Sequence, residues 1–256
     1  MVRRILLMLL LTVPGPGLSA GEAPATGGVL YIGDSHTYGK FGEKLHEELG
    51  RSTGLGVRSV SVCPATPGSW LKESWVSACG YMERRSRPGQ PRPVKVSSGV
   101  RRRTPGLGRL LREERPSLVV IALGSNCGLR TPAEIRGNAR LLLERVIASA
   151  EVRHVFWIGP PHYRGAGRIA RVLEQVVGEF SEVEFIDGRS FNARRPLPAR
   201  NPHFGPWKAA RWAGWAHGRI STRMQQRRTR PPIRKRPRPG RRDLLPPPGF
   251  ARALRS

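Results

Sequence analysis

The segment Val29-Leu30-Tyr31-Ile32-Gly33-Asp34-Ser35-His36-Thr37 carries the strongest chemical signal in the chain. Four apolar residues read as a buried strand that runs into a glycine turn, and the serine falls where a helix begins. A serine there stands at the carboxyl edge of a sheet with its hydroxyl exposed. The helix-start amides beside it favour negative charge developing on a neighbouring oxygen. The chemistry this suits is attack by Ser35 on a carbonyl carbon. A plainer reading has Asp34 and Ser35 merely capping the helix. The pattern is not the Gly-x-Ser-x-Gly elbow of α/β-hydrolases.

The elements that must position this serine follow from hydrophobic patterning. Strands are predicted at Val29–Ile32, Val57–Val62, Leu118–Leu123, His154–Ile158 and Val183–Ile186. Most read as nearly continuous apolar runs, as strands covered on both faces do; Val57–Val62 alternates with Arg58, Ser59 and Ser61, as a strand nearer an edge would. Phe41, Leu45 and Leu49 form a helical stripe after the first strand, and residues 169–180 form a fuller one before the fifth. Thr131-Pro132 opens a helix carrying Ile135, Leu142 and Val146, and a last helix starts at Pro206 with Trp212 and Trp215 on one side. Alternating strands and helices predict a three-layer α/β/α sandwich around a five-stranded, mostly parallel sheet, over residues 27–222. Its chemistry should gather at the carboxyl ends of the strands. Residues 84–106, rich in Arg, Pro, Gly and Ser, are predicted as a basic surface insertion.

Gly33-Asp34-Ser35 resembles the first block of the SGNH (GDSL-like) hydrolases, and His36 resembles an exported, GDSH-bearing subgroup. The resemblance implies a fold of flavodoxin-like kind and makes Ser35 the nucleophile, its backbone amide one donor of the oxyanion hole. Gly124-Ser125-Asn126, after the third predicted strand, is similar to the third block and implies Asn126 as a side-chain oxyanion donor. Trp157-Ile158-Gly159-Pro160-Pro161 resembles the exit of the fourth strand and implies a structural role at the pocket rim. His203 stands where the family's base histidine does, ahead of Pro206 and the tryptophan-bearing helix.

Two positions depart from the pattern. The second block supplies a glycine amide to the oxyanion, and Ser61-Val62-Cys63-Pro64-Ala65 has proline there, which lacks an N–H. Another register of the loop would offer the Ala65 amide instead. The last block is normally Asp-x-x-His, and this chain reads Arg200-Asn201-Pro202-His203. An arginine there disfavours imidazolium rather than supporting it. Asp187 is then the nearest carboxylate in sequence to support His203, with a backbone carbonyl as the alternative. Asp34 is a further candidate for support. His36 either faces away or lines the pocket entrance, and His162 is a candidate substrate contact; His46, His154 and His217 read as surface or packing residues.

Composition bounds the rest. The 256 residues suffice for one well-buried domain with tails. Arg3 and Arg4, an apolar run from Ile5 to Val13 and Leu18-Ser19-Ala20 form the layout of a signal peptide over 1–20, which predicts a periplasmic or extracellular protein. The Arg/Pro-rich stretch 226–256 has too few large apolar residues to offset chain entropy and is predicted disordered. With 45 basic against 18 acidic residues the net charge is +27. Basic runs without interleaved aromatics argue against nucleic acid, which leaves an anionic envelope surface or polymer as partner, or a drift of composition toward arginine with no partner. Of the three cysteines, Cys63 and Cys79 bracket a tryptophan-bearing loop and suit a disulfide, leaving Cys127 over. No metal-ligand spacing is present, and no metal or organic cofactor is implied. The expectation is a monomeric SGNH-type serine esterase acting on a small ester or acylated carbohydrate through a Ser–His acyl-enzyme. The alternative is a catalytically impaired module of the same fold that binds an envelope glycan.

Overall fold

The computed structural model describes residues 27–72, 75–198 and 203–228. The expected signal segment, residues 229–256 of the expected tail and Arg200 lie outside the described residues; 226–228 close the last helix.

One sheet of seven strands organises the chain: β1 (Val29–Gly33), β2 (Val57–Cys63), β3 (Gly80–Arg87), β4 (Gln90–Gly99), β5 (Leu118–Ala122), β6 (His154–Ile158) and β7 (Val183–Ile186), in the order β4-β3-β2-β1-β5-β6-β7. The five predicted strands are all present and mutually parallel. The count of five is corrected by β3 and β4, an antiparallel hairpin built largely from the segment expected to be a surface insertion. Arginines and prolines hid it. Pro91 and Pro93 are tolerated because β4 is an edge strand. The hairpin also makes β2 an interior strand, paired on both sides. Two of its buried polar residues have partners: Arg58 binds Glu83, Glu113 and Glu114, and the Ser59 hydroxyl lies 2.8 Å from His46 Nδ1, while the buried Ser61 hydroxyl has none.

The helices are α1 (Ser35–Tyr38), α2 (Lys40–Thr53), α3 (Pro67–Leu71), α4 (Leu107–Glu114), α5 (Pro132–Ile147), α6 (Ala166–Val177) and α7 (Pro206–Arg228). One face of the sheet packs on α2 and α7 through Phe41, Leu45, Leu49 and Trp212. The other packs on α3 to α6 through Trp70, Leu110, Ile135 and Ile169. Thr131 starts α5 with a capping box to Glu134, as the Thr-Pro signal predicts. β1 lies between β2 and β5, so successive connections leave it in opposite directions. That switch point opens a crevice at the carboxyl ends of β1 and β5.

Candidate active site

Ser35 is held by a turn with little freedom. Asp34 caps α1, accepting the His36 N–H at 3.0 Å, and its own N–H donates to Ala122 O on β5. The Thr37 hydroxyl donates back to Asp34 O at 2.7 Å. Gly33 is required here because a Cβ would overlap the Thr37 side chain. Gly42 is required on α2 because its Cβ would overlap the Thr37 carbonyl oxygen. From β3, buried Arg84 donates to Thr37 O at 3.2 Å and Tyr38 O at 2.5 Å, tying down the end of the turn. Asp34 therefore does cap, yet Ser35 contributes nothing to the cap. Its hydroxyl points out, and its N–H has no acceptor among the described residues.

Across from it stands His203, its Nε2 3.5 Å from Ser35 Oγ. This is the long end of hydrogen-bond range, as is common for a nucleophile and base without substrate. The two line a cavity of about 190 Å³ with His36, Lys40, Phe204 and Trp212. It is smaller than the about 300–1,000 Å³ of drug-sized sites. His36 does not face away: it is buried between His203 and Trp212. Sequence reasoning left its place open because adjacency to the nucleophile does not say on which side of the turn the ring falls. Burial holds its pKa down at about 3, reinforced by the charge His203 can carry. Partial burial also lowers His203 below the usual histidine value. Burial pushes Asp34 the other way, up to about 7, against the opposing effect of amide hydrogen bonds from His36 and Ser125.

Asn126 follows the β5 exit, bonded to the loop after β2 and not among the residues that line the cavity of Ser35 and His203. The Ser125 N–H binds the Asp34 carboxylate, and Ser125 O accepts the Tyr163 hydroxyl at 3.0 Å, so the loop is pinned from both sides. Asn126 Nδ2 donates one hydrogen to Ala65 O at 3.1 Å, leaving its second free. The loop after β2 has no spare amide at 64–66. Pro64 has none, the Ala65 N–H closes a turn on Val62 O at 2.8 Å, and the Thr66 N–H binds Ser69 Oγ. The alternative register through Ala65 is thus corrected: the tight turn that buries Ala65 consumes its donor. The disulfide Cys63–Cys79 anchors this loop, with Cα atoms 5.2 Å apart. Cys127 is free and buried, its thiol pushed up to about 12 by burial.

Two expected contributors are placed elsewhere. Both Asp187 carboxylate oxygens are taken by the Arg189 guanidinium at 2.7 Å, so this acid is not brought to His203. Among the described residues His203 has no carboxylate partner. His162 is latched to the 192–197 loop, its N–H on Asn192 Oδ1, its O accepting from Leu197 and its ring on Ala193 O. Among the described residues no group of three or more His, Cys, Asp or Glu could hold a metal ion.

The architecture is that of the SGNH hydrolase fold, an α/β sandwich with a central sheet flanked by helices. No family model and no curated protein matches the chain. Solved structures do. The esterase EstA from Pseudoalteromonas sp. superposes with a TM-score of 0.52 at 14% identity, covering 78% of this chain and 100% of that one. The aryl esterase of M. smegmatis gives 0.50 at 17% identity, with 77% and 99% covered. Est24, a carbohydrate acetylesterase from Sinorhizobium meliloti, gives 0.50 at 14% identity, again with 77% and 99% covered.

Proposed function

We propose that this chain is an SGNH-type serine esterase that removes a short acyl group from a carbohydrate outside the cytoplasm. The observation that carries the reading is Ser35 Oγ facing His203 Nε2 at 3.5 Å in a small cavity at the sheet's carboxyl edge. Ser35 Oγ attacks the ester carbonyl carbon while His203 Nε2 takes its proton. The tetrahedral oxyanion is held by the Ser35 N–H and the free hydrogen of Asn126 Nδ2. Its collapse expels the alcohol, which leaves with the proton from His203. Water, deprotonated by His203, then attacks the acyl-Ser35 ester; the carboxylic acid departs and the serine is restored. The site is a dyad, because no described carboxylate supports the histidine.

The acylated carbohydrate is favoured by the small cavity, by the acetylesterase that shares the fold and by a net charge of +27, which suits an anionic polymer. Export is favoured by the N-terminal layout and by the Cys63–Cys79 disulfide.

Hydrolysis of p-nitrophenyl acetate tests the reading. The wild type should turn over the ester; Ser35→Ala should fall to background, and His203→Gln should fall by at least about a hundredfold. A second reading, a glycan-binding module that does not turn over, is favoured by Pro64 and by the committed Ala65 amide. Equal background in all three folded proteins, with retention on an acylated anionic polysaccharide, decides for it.

A further inference from the structure

We propose that His36 is a positioning residue for His203: the face of its buried ring sets the orientation of the base and borders its charged form, no described carboxylate being brought to that base. This rests on Ser35 and His203 being nucleophile and base.

A carboxylate in such a site does two things. It fixes the plane and tautomer of the imidazole, and it stabilises the imidazolium formed when the serine proton is taken. Here the candidates are engaged elsewhere: Asp187 with Arg189, and Asp34 with the amides of His36 and Ser125. What does lie against His203 is the His36 ring, with centroids 4.5 Å apart and planes tilted by 38°. His36 is only 7% exposed. It packs edge-on against Trp212 at 5.4 Å, and Trp212 is stacked on Phe41 at 3.9 Å. The column Phe41–Trp212–His36 therefore runs from the core to the base, and its last member is rigid. On the backbone side His36 belongs to α1, one residue from the nucleophile and held by the same Asp34 cap. One turn thus fixes Ser35 Oγ and the surface against which His203 must lie.

The His36 Nε2 is buried without a hydrogen-bond partner, so this ring acts through its face and not as a proton relay. Burial also keeps it neutral over the working range. A neutral ring does not repel a charge on His203 as a second imidazolium would, and the burial around His203 holds that charge in check. The charged or titratable groups that line the cavity with His203 are Ser35 and His36 from the α1 turn and Lys40 from the start of α2. Substitutions at His36 leave the others in place.

The experiment compares His36→Phe, His36→Leu and His36→Ala with the wild type in two readouts: kcat and KM on p-nitrophenyl acetate, and the NMR titration of the His203 imidazole. Without the ring, in Leu and Ala alike, kcat should fall on the order of a hundredfold with little change in KM, as expected when a catalytic group is misplaced. The His203 pKa should rise in His36→Ala toward the ordinary 6.5 as water reaches the ring. His36→Phe restores the face and should return both readouts close to wild type. Leu fills most of the volume, so it separates loss of the ring from loss of folding if Ala proves unstable. The proposal is overturned if Leu is as active as wild type, or if Phe is as impaired as Leu. Failure of the esterase reading shows separately, as Ser35→Ala no slower than wild type; the His203 titration then still decides, an unchanged pKa in His36→Ala counting against the proposal.

Discussion

In the proposed mechanism Asn126 is the residue on which the oxyanion site turns. The resemblance implies three donors, and the proposed site keeps two, because Pro64 has no N–H and the Ala65 N–H closes a turn. The Asn126 amide is held ready by Ala65 O, which fixes the Nδ2 group while leaving one hydrogen for substrate. Removing it leaves the Ser35 amide alone against the oxyanion. Asn126→Ala should therefore lose about a thousandfold in kcat, the upper end for one donor. KM should change little, since the ground-state carbonyl carries only part of that charge. Steady-state kinetics on p-nitrophenyl acetate check this; a loss under about tenfold would mean that Asn126 serves the β2 loop and not the reaction.

The hairpin β3–β4 shows what an element adds beyond the residues that prompted it. Through Glu83 it meets Arg58 on β2, and α4 closes the cluster with Glu113 and Glu114. Through Arg84 it meets the carbonyls at the end of the nucleophile turn. Arg58→Met should cost about 3 kcal/mol, the lower end for breaking a buried ion pair, because Glu113 and Glu114 can turn to water while Glu83 cannot. Urea unfolding measures it, and Glu83→Gln in the same background should recover part of the loss. This hairpin is also where the sequence was least legible. The five parallel strands were readable because β-branched and apolar runs have no other stable place than a covered sheet. β3 reads Gly-Tyr-Met-Glu-Arg-Arg-Ser-Arg, and pairing with β2, the Thr37 and Tyr38 carbonyls that receive Arg84 and Glu114 of α4 beside Arg85 are what make arginines tolerable in this strand. The same holds at the site. Ser35, Asn126 and His203 stand next to strong local signals, a glycine turn, a strand exit and a helix start. The burial of His36, the withdrawal of Asp187 to Arg189 and the committed Ala65 amide depend on which side of a turn a group falls. No local pattern encodes that.

Over the whole molecule the buried titratable groups act against one another, and their balance sets the response to acid. His36 and His46 are buried and held neutral, both pushed down to about 3 from 6.5. In the unfolded chain each takes up a proton as pH falls through 6.5, so acid favours unfolding by two protons. Asp34 has the opposite sign: its folded pKa of about 7 lies above the unfolded 3.8, so between these values the folded chain binds a proton that the unfolded one does not. Stability contributed by Asp34 is present in acid and lost as pH rises through 7; that contributed by the neutral histidines is present above 6.5 and lost below it. At pH 6.5 the difference is about a quarter of a proton in favour of the unfolded chain and it grows to about one proton near pH 5, an average of about 1 kcal/mol per pH unit over this window. His203 and His217, also lowered by burial, steepen the fall further. Surface carboxylates with depressed values, such as Glu113, enter mainly below this window, as pH nears their unfolded 4.5. Asp34→Asn removes the compensating proton. Unfolding free energies from urea titrations at pH 6.5, 5.75 and 5 should then fall more steeply in the variant than in the wild type, by about 1.4 kcal/mol per pH unit. Parallel curves would mean that the capped carboxylate is ionised throughout, its two amide donors outweighing its burial.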